Sequence, residues 1–311
     1  MLILGQKYRF TQLELNRLEK QFKTINSIVY ENKNSKDVIE EIESILQNDK
    51  SGTIVLNTKV KVGDEIIKYL TNLRYNENYQ NIQIISIEHF LEKYLYKCYI
   101  PESNDDLHYL DDIKPFNLWQ KTQKRVIDLI GAFCLLLIFL ILKPFVKKKI
   151  GEQSLGSLYF KQLRVGLNNK EFECIKFRTM HEHDSDKDIR TATKEDDRKF
   201  PFGDFMRKIR IDEIPQFINI LKGEMSLIGP RAEWSQLVKD YERQIPYYNQ
   251  RHTIKPGITG WAQVMFVEGR AKEDTKQKLM YDMYYIKYWN IWLELKIILK
   301  TFLVVLNKSG I

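Results

Sequence analysis

Leu129-Ile130-Gly131-Ala132-Phe133-Cys134-Leu135-Leu136-Leu137-Ile138-Phe139-Leu140-Ile141-Leu142 is an uninterrupted apolar run. As a helix, its fourteen residues reach about 21 Å, against about 30 Å for the hydrocarbon core of a bilayer. Extending it back to Val126 would place Asp128 in lipid. Lys121, Lys124 and Arg125 precede the run, and Lys143-Pro144-Phe145-Val146-Lys147-Lys148-Lys149 follows it. A spanning helix concentrates positive charge on its cytoplasmic side. Two basic flanks instead suit a segment that enters and returns to one face, held by anionic headgroups. Pro144 should break or kink a helix passing through it. The expectation is a re-entrant membrane helix over residues 124–150, with Lys124, Arg125, Lys143 and Pro144 as its anchor. A single short span and a buried core helix are the alternatives.

Upstream, residues 1–113 read as a small α/β module. Ser27-Ile28-Val29-Tyr30, Thr53-Ile54-Val55-Leu56 and Ile82-Gln83-Ile84-Ile85 are strand-like runs. Helical spacing of apolar residues separates them, through Val38, Ile39, Ile42, Ile45 and Leu46 and again through Ile66, Ile67, Leu70 and Leu73. This alternation implies a parallel, Rossmann-like sheet. Neither G-x-G-x-x-G nor a P-loop is present, so the module reads as accessory rather than nucleotide-binding. Residues 114–123 are assigned to a linker. The first residues, Met1-Leu2-Ile3-Leu4-Gly5-Gln6-Lys7, hold too short an apolar run for a signal peptide. Cys98, Cys134 and Cys174 are scattered, which fits a reducing compartment better than a disulfide framework.

Downstream, residues 151–311 read as a mainly helical α+β catalytic domain associated with the membrane. With 49 basic and 41 acidic residues the net charge is +8, which favours an anionic partner. The apolar run and the lack of a recognisable motif argue against nucleic acid. Arg210-Ile211-Asp212-Glu213-Ile214-Pro215-Gln216 places two acids after a basic run. Taken alone, Asp212 three residues before a proline is an ordinary helix N-cap. Basic residues, several of them beside glycines, recur at Gln162-x-Arg164-Val165-Gly166, Lys176-Phe177-Arg178-Thr179-Met180, Gly203-Asp204-Phe205-Met206-Arg207-Lys208, Gly229-Pro230-Arg231 and Lys255-Pro256-Gly257-Ile258-Thr259-Gly260-Trp261. Such residues recognise phosphates, with glycines letting the backbone approach. Asp184, Asp186, Asp188 and Glu195 imitate a calcium loop, but Ile189 stands where glycine is needed. His181-x-His183 has no third ligand apparent for a metal.

These motifs, with Lys124-Arg125-x-x-Asp128, Gly223-Glu224-Met225-Ser226-Leu227-Ile228-Gly229-Pro230-Arg231, Ile245-Pro246-Tyr247-Tyr248 and Tyr281-Asp282-x-Tyr284-Tyr285-Ile286, resemble the bacterial sugar transferase family. Its members are monotopic polyprenyl-phosphate phosphoglycosyl transferases, and the tail is most similar to their exopolysaccharide-type branch. The resemblance implies that Asp212 is a nucleophile attacking the β-phosphate of a UDP-sugar, and that undecaprenyl phosphate then accepts the sugar phosphate. It implies that Glu213 is the partner acid and that Asp212 and Glu213 serve a Mg²⁺ cofactor. By motif position, Lys176, Arg178, Arg207, Arg231, Arg251, Arg270 and Asp282 contact phosphates or acids. Location at the cytoplasmic face of the bacterial inner membrane follows from the same resemblance, with a second copy and downstream glycosyltransferases as further partners. Ala232 stands where the family usually has proline, Phe200 where threonine is common, and Met265–Arg270 lacks the Asn-Gly-Arg of many members; these departures bear on the sugar. A non-catalytic, membrane-anchored adaptor is the alternative function. The aromatic cluster from Tyr284 and the apolar segment Ile291–Leu306, with Glu294, Lys296 and Lys300, suits either an interfacial helix or one packed on the core.

Overall fold

The computed structural model describes residues 1–30, 33–48, 52–58, 62–73, 75, 76, 79, 82–104, 109, 111, 113–181, 198–266 and 272–306. The chain forms two compact units, Met1–Tyr99 and Ile100–Ile311.

The first unit runs β1 (Leu2–Leu4), α1 (Gln12–Glu19), β2 (Asn26–Ile28), α2 (Ser35–Asn48), β3 (Thr53–Leu56), α3 (Asp64–Leu73), β4 (Gln83–Ser86) and α4 (Ile87–Phe90), which continues as a π-turn over Leu91–Leu95. The strands form one parallel sheet in the order β2-β1-β3-β4. The strand–helix alternation anticipated this layout, but the sequence pattern passed over β1, the strand that pairs with both β2 and β3. Three residues carry no alternation, and what makes them a strand is pairing with segments 24 and 52 positions away (Leu2 opposite Asn26 and Ile54). α1 was also missed, because little of it is apolar; a capping box between Thr11 and Glu14 starts it.

An open parallel sheet binds ligands outside the carboxyl ends of its strands, where the strand order reverses. Here that place lies between β1 and β3, and the chain fills it itself. Asn57, buried, donates through Nδ2 to the carbonyls of Gly5 (3.2 Å) and Tyr8 (2.8 Å) and accepts from the Tyr8 N–H (2.7 Å). Behind this loop Lys97 is buried in an ion pair with Glu14 and donates to the Tyr8 hydroxyl.

The second unit begins with α5 (Leu118–Gln153), capped by Asn117 and Gln120. At 36 residues it is about 54 Å long. It starts inside the stretch assigned as linker. It also runs through Pro144, so the expected break is not found. There follow β5 (Tyr159–Val165), β6 (Glu171–Phe177), α6 (Pro201–Lys208), a 3₁₀ turn at Ile211–Gln216, α7 (Phe217–Lys222), β7 (Ser226–Ile228), α8 (Ser235–Gln244), a 3₁₀ turn at Tyr248–Thr253, β8 (Gly257–Thr259), α9 (Trp261–Met265), α10 (Lys272–Lys287) and α11 (Ile291–Leu306). β5 and β6 form an antiparallel hairpin, and β7 and β8 a parallel pair.

α5 has two faces. Lys124, Asp128, Ala132, Phe139, Val146 and Ile150 are buried along one stripe. Ala132, Phe139, Val146 and Ile150 join Phe172, Phe177, Met206, Phe217 and Met225 in one core, with the rings of Phe139 and Phe177 stacked at 5.7 Å. The opposite face leaves Leu129, Ile130, Phe133, Leu137, Ile138 and Ile141 exposed. Among the described residues α5 is the one helix long and apolar enough to cross a membrane, by length and composition.

The basic flank before the apolar run has a different task from the one expected. Lys124 is buried, 3.3 Å from Glu294 and 3.6 Å from Asp128. Arg125 donates to the carbonyls of Ile220 (2.7 Å) and Leu221 (3.0 Å), satisfying the end of α7. Asp128 accepts from the Leu227 N–H at 2.7 Å. These side chains fasten α5 to the rest of the second unit rather than reach for headgroups, a task the sequence does not show because the partners lie on distant elements. Lys143 and Pro144 are exposed. Glu294 is buried on α11, where it also accepts from Trp289 Nε1 (2.7 Å) and the Tyr285 hydroxyl. The interruption in the apolar pattern of α11 is thus its tie to the core.

Candidate active site

Arg210 adopts a left-handed conformation (φ 58°, ψ 22°) just before the 3₁₀ turn. Such a residue is costly, by about 1–2 kcal/mol without glycine's freedom. It reverses the chain after α6, and the turn then buries both acids, Asp212 at 7% and Glu213 at 6% exposure. The helix-cap alternative is not realised. Asp212 lies within the turn rather than before it, and no side chain caps the turn.

The two acids have opposite surroundings. Glu213 Oε1 lies 2.6 Å from Lys176 Nζ on β6 and 3.5 Å from Arg231, and Oε2 lies 3.5 Å from Arg210. Burial alone would raise its pKa; Lys176, Arg231 and Arg210 hold it well below the usual carboxylate range. Asp212 has no ion pair among the described residues. Burial lifts it to about 6; Lys176, Arg207 and Arg210 oppose the rise and the charge of Glu213 adds to it. Environments that push a pair of carboxyls apart assign them different roles. Glu213 is the fixed anion that gathers cations, and Asp212 is the acid left open.

The sign of this shift makes a prediction. The fold raises Asp212 above its unfolded value of about 3.9, so the folded chain holds the extra proton. Its contribution therefore favours folding below about pH 4 and is lost as pH rises through about 6. In metal-free protein, the stability of wild type relative to Asp212→Asn should fall from pH 4 to pH 6 and level off above. Urea denaturation at stepped pH measures this, and a flat difference contradicts the raised pKa.

Of the other expected contacts, Lys176, Arg207 and Arg231 converge on the dyad. Arg178 does not. Its guanidinium donates to Ser157 O (2.5 Å), Ser154 Oγ (2.6 Å), Ser154 O (2.8 Å) and Met180 O (3.3 Å), so it closes the end of α5. Arg251 and Asp282 form a buried pair at 2.8 Å. Arg251 also donates to Tyr248 Oη (2.6 Å) and to the Arg231 carbonyl (3.0 Å). They support Arg231 from behind and do not face the dyad. Burial raises Asp282 to about 6 against Arg251. Arg270 and the residues 184–195 of the calcium-like pattern lie outside the described residues, as does His183. His181 sits 3.0 Å from Ser154 Oγ.

Three residues escaped the sequence reading. In sequence Arg210 is one of a basic run, although its backbone makes the turn. Glu233 is surrounded by Arg251, Arg231 and Arg164; burial would raise it, and those charges hold it below its usual range. Asn219 is fully buried, accepting from the Ile175 N–H (3.1 Å) and donating to Glu173 O (2.7 Å), which locks α7 onto β6 beside Lys176. The glycines also serve another purpose than expected. A Cβ on Gly229 or Gly257 would strike backbone of the opposing segment, so these residues let β7 and β8 meet and set Arg231.

The sequence profile described as "Bacterial sugar transferase" matches residues 119–308. The chain belongs to this family. Family membership thus covers α5 and the whole dyad site, and leaves the first unit outside. A UDP-N-acetylgalactosamine-undecaprenyl-phosphate N-acetylgalactosaminephosphotransferase of Aeromonas hydrophila is 40% identical over 187 residues, which is 60% of this chain and 44% of the relative. A UDP-glucose:undecaprenyl-phosphate glucose-1-phosphate transferase of Xanthomonas campestris pv. campestris is 41% identical over 187 residues, 59% of this chain and 37% of the relative. An uncharacterized sugar transferase of Bacillus subtilis is 40% identical over 197 residues, 60% of this chain and 89% of the relative. The chain spans less than half the length of the first two.

Proposed function

We propose that the chain is a phosphoglycosyl transferase that moves sugar 1-phosphate from a UDP-sugar to undecaprenyl phosphate, initiating exopolysaccharide or a related glycan. The observation that carries this is the dyad: a buried carboxylate with no ion pair among the described residues, beside one ringed by three cations. A carboxylate oxygen of Asp212 attacks the β-phosphorus. The bond from that phosphorus to the bridging oxygen breaks, and UMP leaves with the electron pair. The acyl phosphate of Asp212 keeps the sugar. An oxygen of the lipid phosphate then attacks the same phosphorus and returns Asp212 as a carboxylate. An acyl phosphate passes its group onward without a deep trap. Lys176, Arg207, Arg210 and Arg231 supply fixed positive charge for the meeting of anions.

Magnesium belongs to this reading. Among the described residues no group of three His, Cys, Asp or Glu side chains could hold a metal. Mg²⁺ is often held by one or two carboxylates plus substrate phosphates. Asp212, with no ion pair among the described residues, is the carboxylate open to that mode, and with Glu213 beside it would hold the ion together with the diphosphate. When bound, it supplies further neutralisation of the diphosphate.

The membrane placement is the cytoplasmic face of the inner membrane, with α5 dipping into one leaflet. Supporting it, the buried stripe of α5 packs on the same core from Ala132 to Ile150 while the opposite face is apolar and exposed. A helix crossing the bilayer would carry that core into lipid. In a Cys134→Ser background, Glu152→Cys should resist a periplasmic thiol reagent in intact cells; labelling there would favour a span.

The decisive experiment incubates purified protein with UDP-sugars radiolabelled in the sugar. Protein-bound, hydroxylamine-labile label with release of UMP is expected, and undecaprenyl phosphate should discharge it. An adaptor would acquire no label. The relatives named above carry different sugars at near-equal identity, so the panel includes UDP-glucose and UDP-N-acetylgalactosamine. By urea denaturation, Arg178→Lys should lose about 1.5–3 kcal/mol of stability for each charged hydrogen bond broken. Its KM for the UDP-sugar should stay within about twofold. A raised KM at unchanged melting temperature would return Arg178 to the substrate contacts.

A further inference from the structure

A cavity of about 180 Å³ lies beside the dyad. Arg210, Glu213, Thr259, Gln263 and Thr301 contribute to its lining, but most of the exposed wall is aliphatic. Leu135 comes from α5, Ile258 from β8, and Val304 and Val305 from α11. α11 presents these residues by its helical period. Thr301, Val304 and Val305 share the half-buried face, while Leu299, Phe302 and Leu303 are exposed on the other. The hydroxyls of Thr301 and Thr259 are hydrogen-bonded at 2.8 Å and fasten α11 to β8 at the cavity.

The cavity is too small and too apolar for a UDP-sugar. Sites for whole ligands run to about 300–1,000 Å³, and a ribose or diphosphate would leave its polar atoms unpaired here. An amphiphile with an apolar chain joined to one anionic group matches both parts. Its chain meets the aliphatic wall, and its anion comes to the end where Arg210 pairs with Glu213 at 3.5 Å. α5 and α11, which supply that wall, both turn exposed apolar faces outward, so the remainder of a long chain can continue along surface of the same character.

We propose that this cavity binds the phosphate-proximal isoprene units of the polyprenyl phosphate acceptor, and that α11 is the wall that selects them. The proposal rests on the transfer reaction given above. It separates the two half-reactions in space: the UDP-sugar needs the cationic side of Asp212, and the acceptor needs the aliphatic cavity.

The test fills the cavity. In Val304→Trp and Val305→Trp, UMP release without lipid should stay within about twofold of wild type, while the KM for undecaprenyl phosphate rises at least about tenfold, the scale of losing the burial of a branched five-carbon unit. Labelled covalent intermediate should then accumulate. Both variants keeping the wild-type KM for lipid would overturn the assignment. A second measurement leaves the protein unaltered. Undecaprenyl phosphate bearing a diazirine in its first isoprene unit should label peptides containing Leu135 and Val304. Labelling confined to the outer faces of α5 and α11, or equal labelling by a diazirine phospholipid that undecaprenyl phosphate does not compete away, also overturns it. If wild type neither releases UMP nor takes up label, the reaction itself fails; if it does both and the cavity results are negative, only the lipid site fails.

Discussion

Asp212→Asn should abolish UMP release from every UDP-sugar, by at least about a thousandfold, because removing a covalent nucleophile leaves only binding and electrostatics. The variant should still fold. Asp212 has no ion pair to lose among the described residues, and burial already disfavours its charge. A neutral amide of the same shape therefore sits at least as well above pH 6. Rapid-quench assays with labelled UDP-sugar measure the loss, and unchanged melting above pH 6 shows that chemistry rather than folding was removed. Turnover near the wild-type rate would end the nucleophile assignment. Glu213→Gln separates the roles. It removes the anion that Lys176, Arg231 and Arg210 share, so its loss should appear in stability as well as in rate.

Glu294→Ala should destabilise the second unit by about 3–5 kcal/mol, the usual cost of leaving a buried charge unpaired. Glu294 is wholly buried and holds Lys124 of α5 while accepting from Trp289 and Tyr285. Its removal strands Lys124 with Asp128 alone at 3.6 Å. Urea denaturation of the full chain in detergent gives the magnitude. A double-mutant cycle with Lys124→Met isolates the pair, since removing both charges should recover part of the loss. A cost under about 1 kcal/mol would mean that water reaches the pair.

The two outcomes are coupled by geometry. Glu294 sits near the start of α11, and Thr301, Val304 and Val305 line the cavity near its end. Loosening the first contact should therefore weaken use of the lipid more than release of UMP. That ordering is checked in the same half-reaction assays.

Much of this is legible in the sequence. Strand and helix alternation gave three of the four strands in the first unit, since hydrophobic periodicity is local. β1 was not legible because its pairing is long-range. The dyad and Lys176, Arg207 and Arg231 were legible as motif residues. Arg178, Arg251 and Asp282 were legible as conspicuous residues but not in their tasks. A guanidinium facing backbone carbonyls and one facing a phosphate look alike in sequence. Lys124 and Arg125 misled in the same way: a basic flank beside an apolar run reads as headgroup contact until Glu294 and the end of α7 are brought to it.

What the sequence by itself determined was therefore the inventory: an apolar run with basic ends, two adjacent acids after a basic run, and the order of motifs that places the chain in its family. These follow from residue type and spacing, which the chain carries without folding. What only the tertiary structure decided was which charges are spent on one another. Burial depth and the partners within a few ångströms set whether a carboxyl is a fixed anion like Glu213, a raised and open acid like Asp212 or a structural tie like Glu294. Those depend on residues 37, 18 and 170 positions apart meeting at Lys176–Glu213, Arg231–Glu213 and Lys124–Glu294. Coulomb energies and desolvation are functions of distance in space, and distance along the chain does not supply it.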